Sequence, residues 1–197
     1  MEPFTSSHGL VERVKQGDGE AFRGLFAKYR HRLAVMIHYR MGSALLRHAD
    51  VDDILQETLL KAFHDIGQFD YQSPGSFFRW LARIADHVIA DLARSQGRQK
   101  RAAEVVRFRS ESNPNGPEPA DAGTPSRIFR ENESLGRLIE ELNLLPEDYR
   151  RVILLSKVEG LTTAEAAQQL GKSNEATALL LHRAIKRFRT LHGGQEK

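Results

Sequence analysis

Residues 142–189 read LNLLPEDYRRVILLSKVEGLTTAEAAQQLGKSNEATALLLHRAIKRFR. Pro146 opens a helix at its first turn, where a missing N–H costs nothing. Tyr149, Val152 and Ile153 share one face of that helix, and Leu154 and Leu155 widen the apolar surface. Glu159-Gly160-Leu161-Thr162-Thr163 closes it and opens the next. Gly160 suits the left-handed position after a helix end. Thr162 is a candidate N-cap, and Glu165 stands three residues on, where a capping-box partner belongs. Ala164, Ala166, Ala167 and Leu170 form a short helix with small residues on its packing side, and Gly171 permits a tight turn. Ser173 caps a helix to about Leu191, with Ala176, Thr177, Leu180, Leu181, Ala184, Ile185 and Phe188 available for packing. A short Ala-rich helix, a Gly turn and a longer capped helix are the parts of a DNA-reading helix-turn-helix, and equally of an ordinary helical hairpin.

Upstream, Leu135, Leu138, Ile139 and Leu142 form one more helical face. Before it, Ser110 to Ser126 reads SESNPNGPEPADAGTPS, with almost nothing apolar to offset the entropy of ordering it, so a flexible tether is expected. Helical spacing returns on its far side. Ala21, Phe22, Leu25, Phe26 and Tyr29 lie on one face, which Leu33, Ile37 and Met41 extend. Asp50 is an N-cap for a helix from about Val51 to Phe63, with Leu55, Leu59, Ala62 and Phe63 inward. Gln68 to Ser76 reads as a loop. Ser76 is then the N-cap of a helix to about Arg94, apolar at Phe77, Leu81, Ile84, Ala85 and Val88. No segment alternates with period two. The expected class is all-α, as two small helical domains, 1–100 and 134–197, joined by a linker over 101–133.

The 197 residues allow two such units. With 0 Cys, a disulfide framework, a thiol nucleophile and a Cys-ligated metal are excluded. No apolar run approaches the roughly 20 residues of a spanning helix. The start, Met1-Glu2-Pro3-Phe4-Thr5, has neither the basic flank nor the apolar core of a signal peptide. The net charge of +3 is modest, but its placement is not even. Arg94, Arg98, Lys100, Arg101, Arg107 and Arg109 cluster against Glu104 alone, and Arg183, Lys186, Arg187 and Arg189 form a second group.

Three surfaces are candidates for function. Asp53, Gln56 and Glu57 share a helix face turned away from Leu55 and Leu59, with Leu60 among them. That is a solvated surface or a dock for a basic partner. The loop residues Phe69, Tyr71 and Gln72 precede Phe77, Phe78 and Trp80, with Arg79 and Arg83 interleaved. Aromatics beside cations suit unstacked bases and their phosphates, though Phe77 and Trp80 are also candidate core. The third surface is the outer face of the helix after Ser173. His48, Asp50, Asp52 and Asp53, or His64 with Asp65, are a weak metal cluster, because neighbours on one segment largely point apart. They leave a metal-dependent phosphohydrolase as a remote rival. A free-standing helix-turn-helix regulator is the nearer one.

In order and spacing, GDGEAFRGLFAKYRHRL (17–33), VDDILQETLLKAF (51–63), SFFRWLARIADHVIADLAR (76–94) and the 142–189 segment resemble bacterial RNA polymerase sigma factors of the extracytoplasmic-function (ECF) type in the sigma-70 family. The resemblance implies a sigma region 2 bundle, a sigma region 4 helix-turn-helix, no cofactor, no metal and no catalysis. It implies docking through Asp52, Asp53, Gln56 and Glu57 on the clamp helices of the largest subunit of core RNA polymerase, and a contact with the flap of the second. It assigns the minus-ten element to Phe69, Tyr71, Gln72, Arg79, Trp80, Arg83, His87, Arg94 and Arg98. It assigns the minus-thirty-five element to Thr163, Ser173, Asn174, Glu175, Thr177, Ala178, His182, Arg183 and Lys186. Promoter DNA and, as a further partner, an anti-sigma factor follow, as does a place in the cytoplasm at the nucleoid. Two departures stand out. Asp86 and His87 follow Ile84-Ala85 where relatives carry Arg and Asn, and Ala178-Leu179-Leu180 replaces a polar run on the reading helix. Leu179 is expected either against a base or against a protein partner.

Overall fold

The computed structural model describes residues 7–109 and 126–193, with side chains over 7–97 and 126–192. The described residues are helical, with no strand among them. The first unit comprises α1 (Ser7–Lys15), α2 (Gly19–Leu46), α3 (Val51–Asp65) and α4 (Ser76–Arg109). Asp18 caps α2 by accepting the N–H groups of Glu20 and Ala21, and Asp50 caps α3 by accepting that of Asp52. These are the local signals the sequence carries at both starts. Near its end α2 is interrupted at Gly42, whose φ of 61° is not helical.

Leu25, Leu33, Ile37, Val51, Leu55, Phe77, Leu81 and Ala85 interlock at the centre of this bundle, each at most 3% exposed. Phe77 and Phe78 are both fully buried although they are consecutive. Phe77 faces Tyr29 and Phe69, with ring centroids 5.3 and 5.4 Å away, whereas Phe78 lies beneath the guanidinium of Arg32 at 3.7 Å. Two adjacent buried positions mean that α4 is covered on more than one stripe. The phenol of Tyr29 is satisfied by the Ser7 hydroxyl at 2.6 Å, which seals α1 over the bundle.

The expected elements shift in four places. Phe63 points outward at 55% exposed, and Ile54 and Thr58 take the buried positions instead. The buried stripe of α3 runs through Val51, Ile54, Leu55, Thr58 and Ala62, and α3 packs against α2 and α4. Ser76 is the first residue of α4 rather than its cap. The helix also runs to Arg109 instead of Arg94. From 95 to 109 the sequence has no Pro and is rich in Arg, Lys, Gln, Ala and Glu, all good helix formers, so nothing stops it. Residues 126–131, assigned to the linker, form α5 (Arg127–Glu131), and Ile128 and Phe129 are buried. Ser126 accepts the N–H of Val51, and Asp52 accepts that of Ile128, so α5 is stitched to the start of α3. The rest of the expected tether, 110–125, lies outside the described residues.

The second unit comprises α6 (Glu133–Asn143), α7 (Glu147–Ile153), α8 (Thr163–Leu170) and α9 (Asn174–Gly193). A π-type turn over Leu154–Val158 widens the end of α7. Thr162 and Glu165 form the expected capping box, and Gly160 and Gly171 are both left-handed, with φ of 71° and 64°. Leu142, Val152, Ala166 and Ala184 close its core. Buried Glu141 is paired with Nδ1 of His192 at 2.9 Å.

The two units pack on each other through α2. Arg32 donates to the carbonyl of Val158. Arg40 pairs with Glu159 at 2.7 Å and also with Asp86 of α4. The Tyr39 hydroxyl faces the Ile139 carbonyl at 3.3 Å and Oδ1 of Asn143 at 3.1 Å, and burial pushes its pKa up to about 12.

Candidate nucleic-acid and polymerase interface

On α3, Asp53, Gln56 and Glu57 are exposed side by side, and Glu57 is paired with Lys61 at 2.9 Å. Asp52 differs from them: it is half-buried, and one carboxylate oxygen is taken by the Ile128 N–H at 3.1 Å. Beside the polar residues lies a groove of about 720 Å³ floored by Phe22, Phe26, Leu55, Leu59, Leu60 and Phe63. Leu60 is 62% exposed, and the Phe63 ring stands edge-on to Phe22 at 4.5 Å. Together Leu60, Phe63 and Phe22 form a contiguous apolar patch beside the polar row, unlike single exposed hydrophobic residues scattered over a surface. Sequence reasoning missed Phe63 because it assigned that residue to the core.

The aromatic surface divides. Phe69 is 6% exposed and packs on Trp80 and Phe77, with centroids at 5.0 and 5.4 Å, so it belongs to the core and not to the DNA-facing set. Tyr71 is half-buried and lies outside Phe69, its ring stacked on His8 at 4.7 Å and 27°. The contact with α1 could not be read from local sequence. Gln72, Arg79, Arg83 and His87 are exposed, and Trp80 is half-buried. Arg79 donates to Ser73 Oγ at 3.1 Å, which holds the loop against the start of α4. Arg94 is exposed and bonded to Asp91, whose carboxyl that bond holds below its usual range. The Arg98 side chain lies outside the described residues. Asp86, the acid in place of a cation, is engaged by Arg40. A cleft of about 160 Å³ between the units is lined by Arg79, Arg83 and Asp86 on one side and by Glu159 and Leu161 on the other.

On the second unit Thr163, Ser173, Asn174, Glu175, Ala178, His182, Arg183 and Lys186 are all exposed. Thr177 is not: at 1% exposed it faces inward with its hydroxyl unpartnered, so its place is in the packing of α9 rather than against a base. The Ser173 hydroxyl accepts the Ala176 N–H at 3.2 Å and so serves as the cap. Among the described residues no cluster of three or more His, Asp or Glu side chains is placed to hold a metal ion. Nor is any helix there long and apolar enough to cross a membrane.

The sequence matches the ECF sigma factor family over residues 5–190, nearly its whole length. The chain belongs to that family. It is 30% identical over 158 residues to the ECF RNA polymerase sigma-E factor of Escherichia coli (strain K12), covering 80% of this chain and 79% of that protein. It is 29% identical over 168 residues to the sigma-E factor of Haemophilus influenzae, covering 85% of each. Among solved structures, CnrH in complex with the cytosolic domain of CnrY is similar over 97% of this chain and 99% of that one, at 24% identity and a TM-score of 0.44. The sigma factor RpoE in complex with the anti-sigma factor NepR from Bartonella quintana is similar over 85% of this chain and 98% of that one, at 20% identity and a TM-score of 0.34. As a sigma factor, the chain directs RNA polymerase and is not an enzyme.

Proposed function

We propose that this sigma factor docks on the clamp helices of the largest polymerase subunit through Asp53, Gln56 and Glu57, with Leu60 and Phe63 filling an apolar contact beside them. The observation that carries this is the open groove on α3: Leu60 and Phe63 stay wet in the free protein although the core next to them is tightly closed. Tyr71, Gln72, Arg79, Trp80, Arg83, His87 and Arg94 form the strand-capture surface for the minus-ten element. Rings and guanidiniums on one surface offset the few kcal/mol needed to unstack a base, at roughly 1–3 kcal/mol per base stacked. The exposed face of α9 enters the major groove at the minus-thirty-five element, close to the flap of the second subunit. Residues 110–125 carry the chain between its two units. Alone, that stretch reaches only on the order of 50 Å when extended, against about 70 Å for two turns of DNA, so spanning both elements also requires α5 to leave α3 and bring the reach of 110–133 to about 80 Å. On this reading the protein acts beside the polymerase in the cytoplasm, at the nucleoid, and an anti-sigma protein competes for the same surfaces.

The test is a pull-down with core polymerase. Asp53→Arg combined with Gln56→Ala is expected to abolish binding while leaving the melting temperature unchanged, because both side chains are exposed. Retention of wild-type binding by the double variant overturns the docking assignment.

A further inference from the structure

The reading helix has an unusual face. Along α9 the exposed positions 175, 178, 179, 182, 183 and 186 recur at helical spacing and form one outward stripe. Its far end carries Arg183 and Lys186 beside His182, and its centre is Ala178 and Leu179. Leu179 is 50% exposed, and a lone exposed leucine is ordinary on a protein surface. The surroundings of this one are not. Guanine is read in the major groove chiefly by a bidentate Arg or Lys, and positions 173–181 carry neither. The nearest upstream cation, Lys172, is paired with Asp148 of α7 at 3.6 Å. Ser173 is spent on the helix cap, and Thr177 is buried. Glu175 is drawn to the helix start by its own N–H and the Ser173 hydroxyl, so its carboxylate is an ionised acceptor.

What remains facing outward over the first two turns is an amide at Asn174, an acceptor at Glu175 and an apolar centre, with Arg183 and Lys186 a turn or more further on. The apolar feature of a base edge in the major groove is the C5-methyl of thymine. We propose that Leu179, with Ala178 beside it, is the specificity-determining contact of α9 and reads thymine through that methyl group. The upstream element is then an A·T pair where α9 passes at its second turn. This rests on the promoter-reading role given above.

The experiment uses holoenzyme assembled from the full chain and core polymerase, selecting from duplexes randomised upstream of a fixed minus-ten element. Thymine is expected to be enriched at one upstream position. Replacing it with uracil, which removes only the methyl, is expected to weaken binding about fourfold, the weight of one buried methyl group. With Leu179→Ala the same exchange is expected to have no effect. Leu179→Arg is expected to move the preference at that position from thymine to guanine. Three results overturn the inference: equal binding of thymine and uracil by the unaltered protein, an unchanged uracil penalty in Leu179→Ala, or a Leu179→Ala variant that keeps its DNA selection and instead loses affinity for polymerase or an anti-sigma protein. Holoenzyme that forms but selects no upstream element also overturns it, and leaves the docking assignment standing. Failure to form holoenzyme at all overturns the proposed function and this inference together.

Discussion

Phe69 and Tyr71 are two residues apart in one loop, and their environments give them different work. Phe69 is enclosed by Phe77 and Trp80, so shortening it opens a cavity. Phe69→Ala is expected to cost about 3–5 kcal/mol and to lower the thermal midpoint of the first unit by more than about ten degrees. Tyr71 lies outside that cluster with only His8 against its face. Tyr71→Ala is expected to leave the thermal midpoint nearly unchanged and to impair promoter opening in a run-off transcription assay. A template melted in advance is expected to rescue Tyr71→Ala. Calorimetry on both variants and transcription from both templates separate the two roles, and a Tyr71→Ala defect that persists on pre-melted DNA contradicts the capture role. The residue alphabet alone showed two aromatics in a loop. Which of them is core depends on the start of α4 folding back over Phe69, a contact that no local pattern encodes.

At the scale of the element, the helix starts were legible because their causes are local. The Thr162–Glu165 box needs only four consecutive residues: the carboxylate accepts the Thr162 N–H at 2.7 Å and its hydroxyl at 2.8 Å. Thr162→Ala is expected to destabilise α8 by about 1 kcal/mol, read as a shift of a few degrees in the midpoint of the second unit. The same bonds to Thr162 hold the Glu165 carboxyl below its usual 4.5. A depressed carboxyl favours the folded state above its unfolded value, and that contribution is lost as the pH falls through the depressed one. The gap between wild type and Thr162→Ala is therefore expected to be full at neutral pH and to narrow in acid below about pH 4, measurable by thermal melts across that range. Features set by tertiary contacts were not legible. The outward turn of Phe63 depends on where the α3 stripe is centred, and the docking of α5 depends on Ser126 and Ile128 meeting α3 some 75 residues away. The continuation of α4 past Arg94 is legible in its helix formers, although the apolar spacing that marks the helix runs only to Val88.

For the molecule as a whole, the closed packing of the two units meets a geometric demand. Promoter elements two DNA turns apart lie about 70 Å from each other, whereas here Glu159 of the second unit touches Arg40, which in turn holds Asp86 on α4. Gly160 sits at this contact with a φ of 71° that disfavours any other residue, and Nη2 of Arg32, the end of a long side chain, stands 2.7 Å from where a Cβ would be. Arg40 and Glu159 are only 27% and 14% exposed as side chains, so their pair is less screened than a surface one but remains within reach of salt. Reversing one charge leaves Arg40 facing a cation. Glu159→Lys is therefore expected to shift the free protein toward open forms. The chain has no cysteine, so Ala90→Cys and Arg187→Cys take a donor and an acceptor dye without a background signal. Energy transfer between them is expected to be high in the free protein, lower in 1 M salt (a Debye length of about 3 Å), lower in Glu159→Lys, and lowest with core polymerase and promoter DNA bound. If transfer in Glu159→Lys equals that of the wild type at every salt concentration, the units are held by other contacts, such as the Tyr39 hydroxyl on Ile139 and Asn143, instead. If transfer stays high on the promoter complex, the chain does not span two elements.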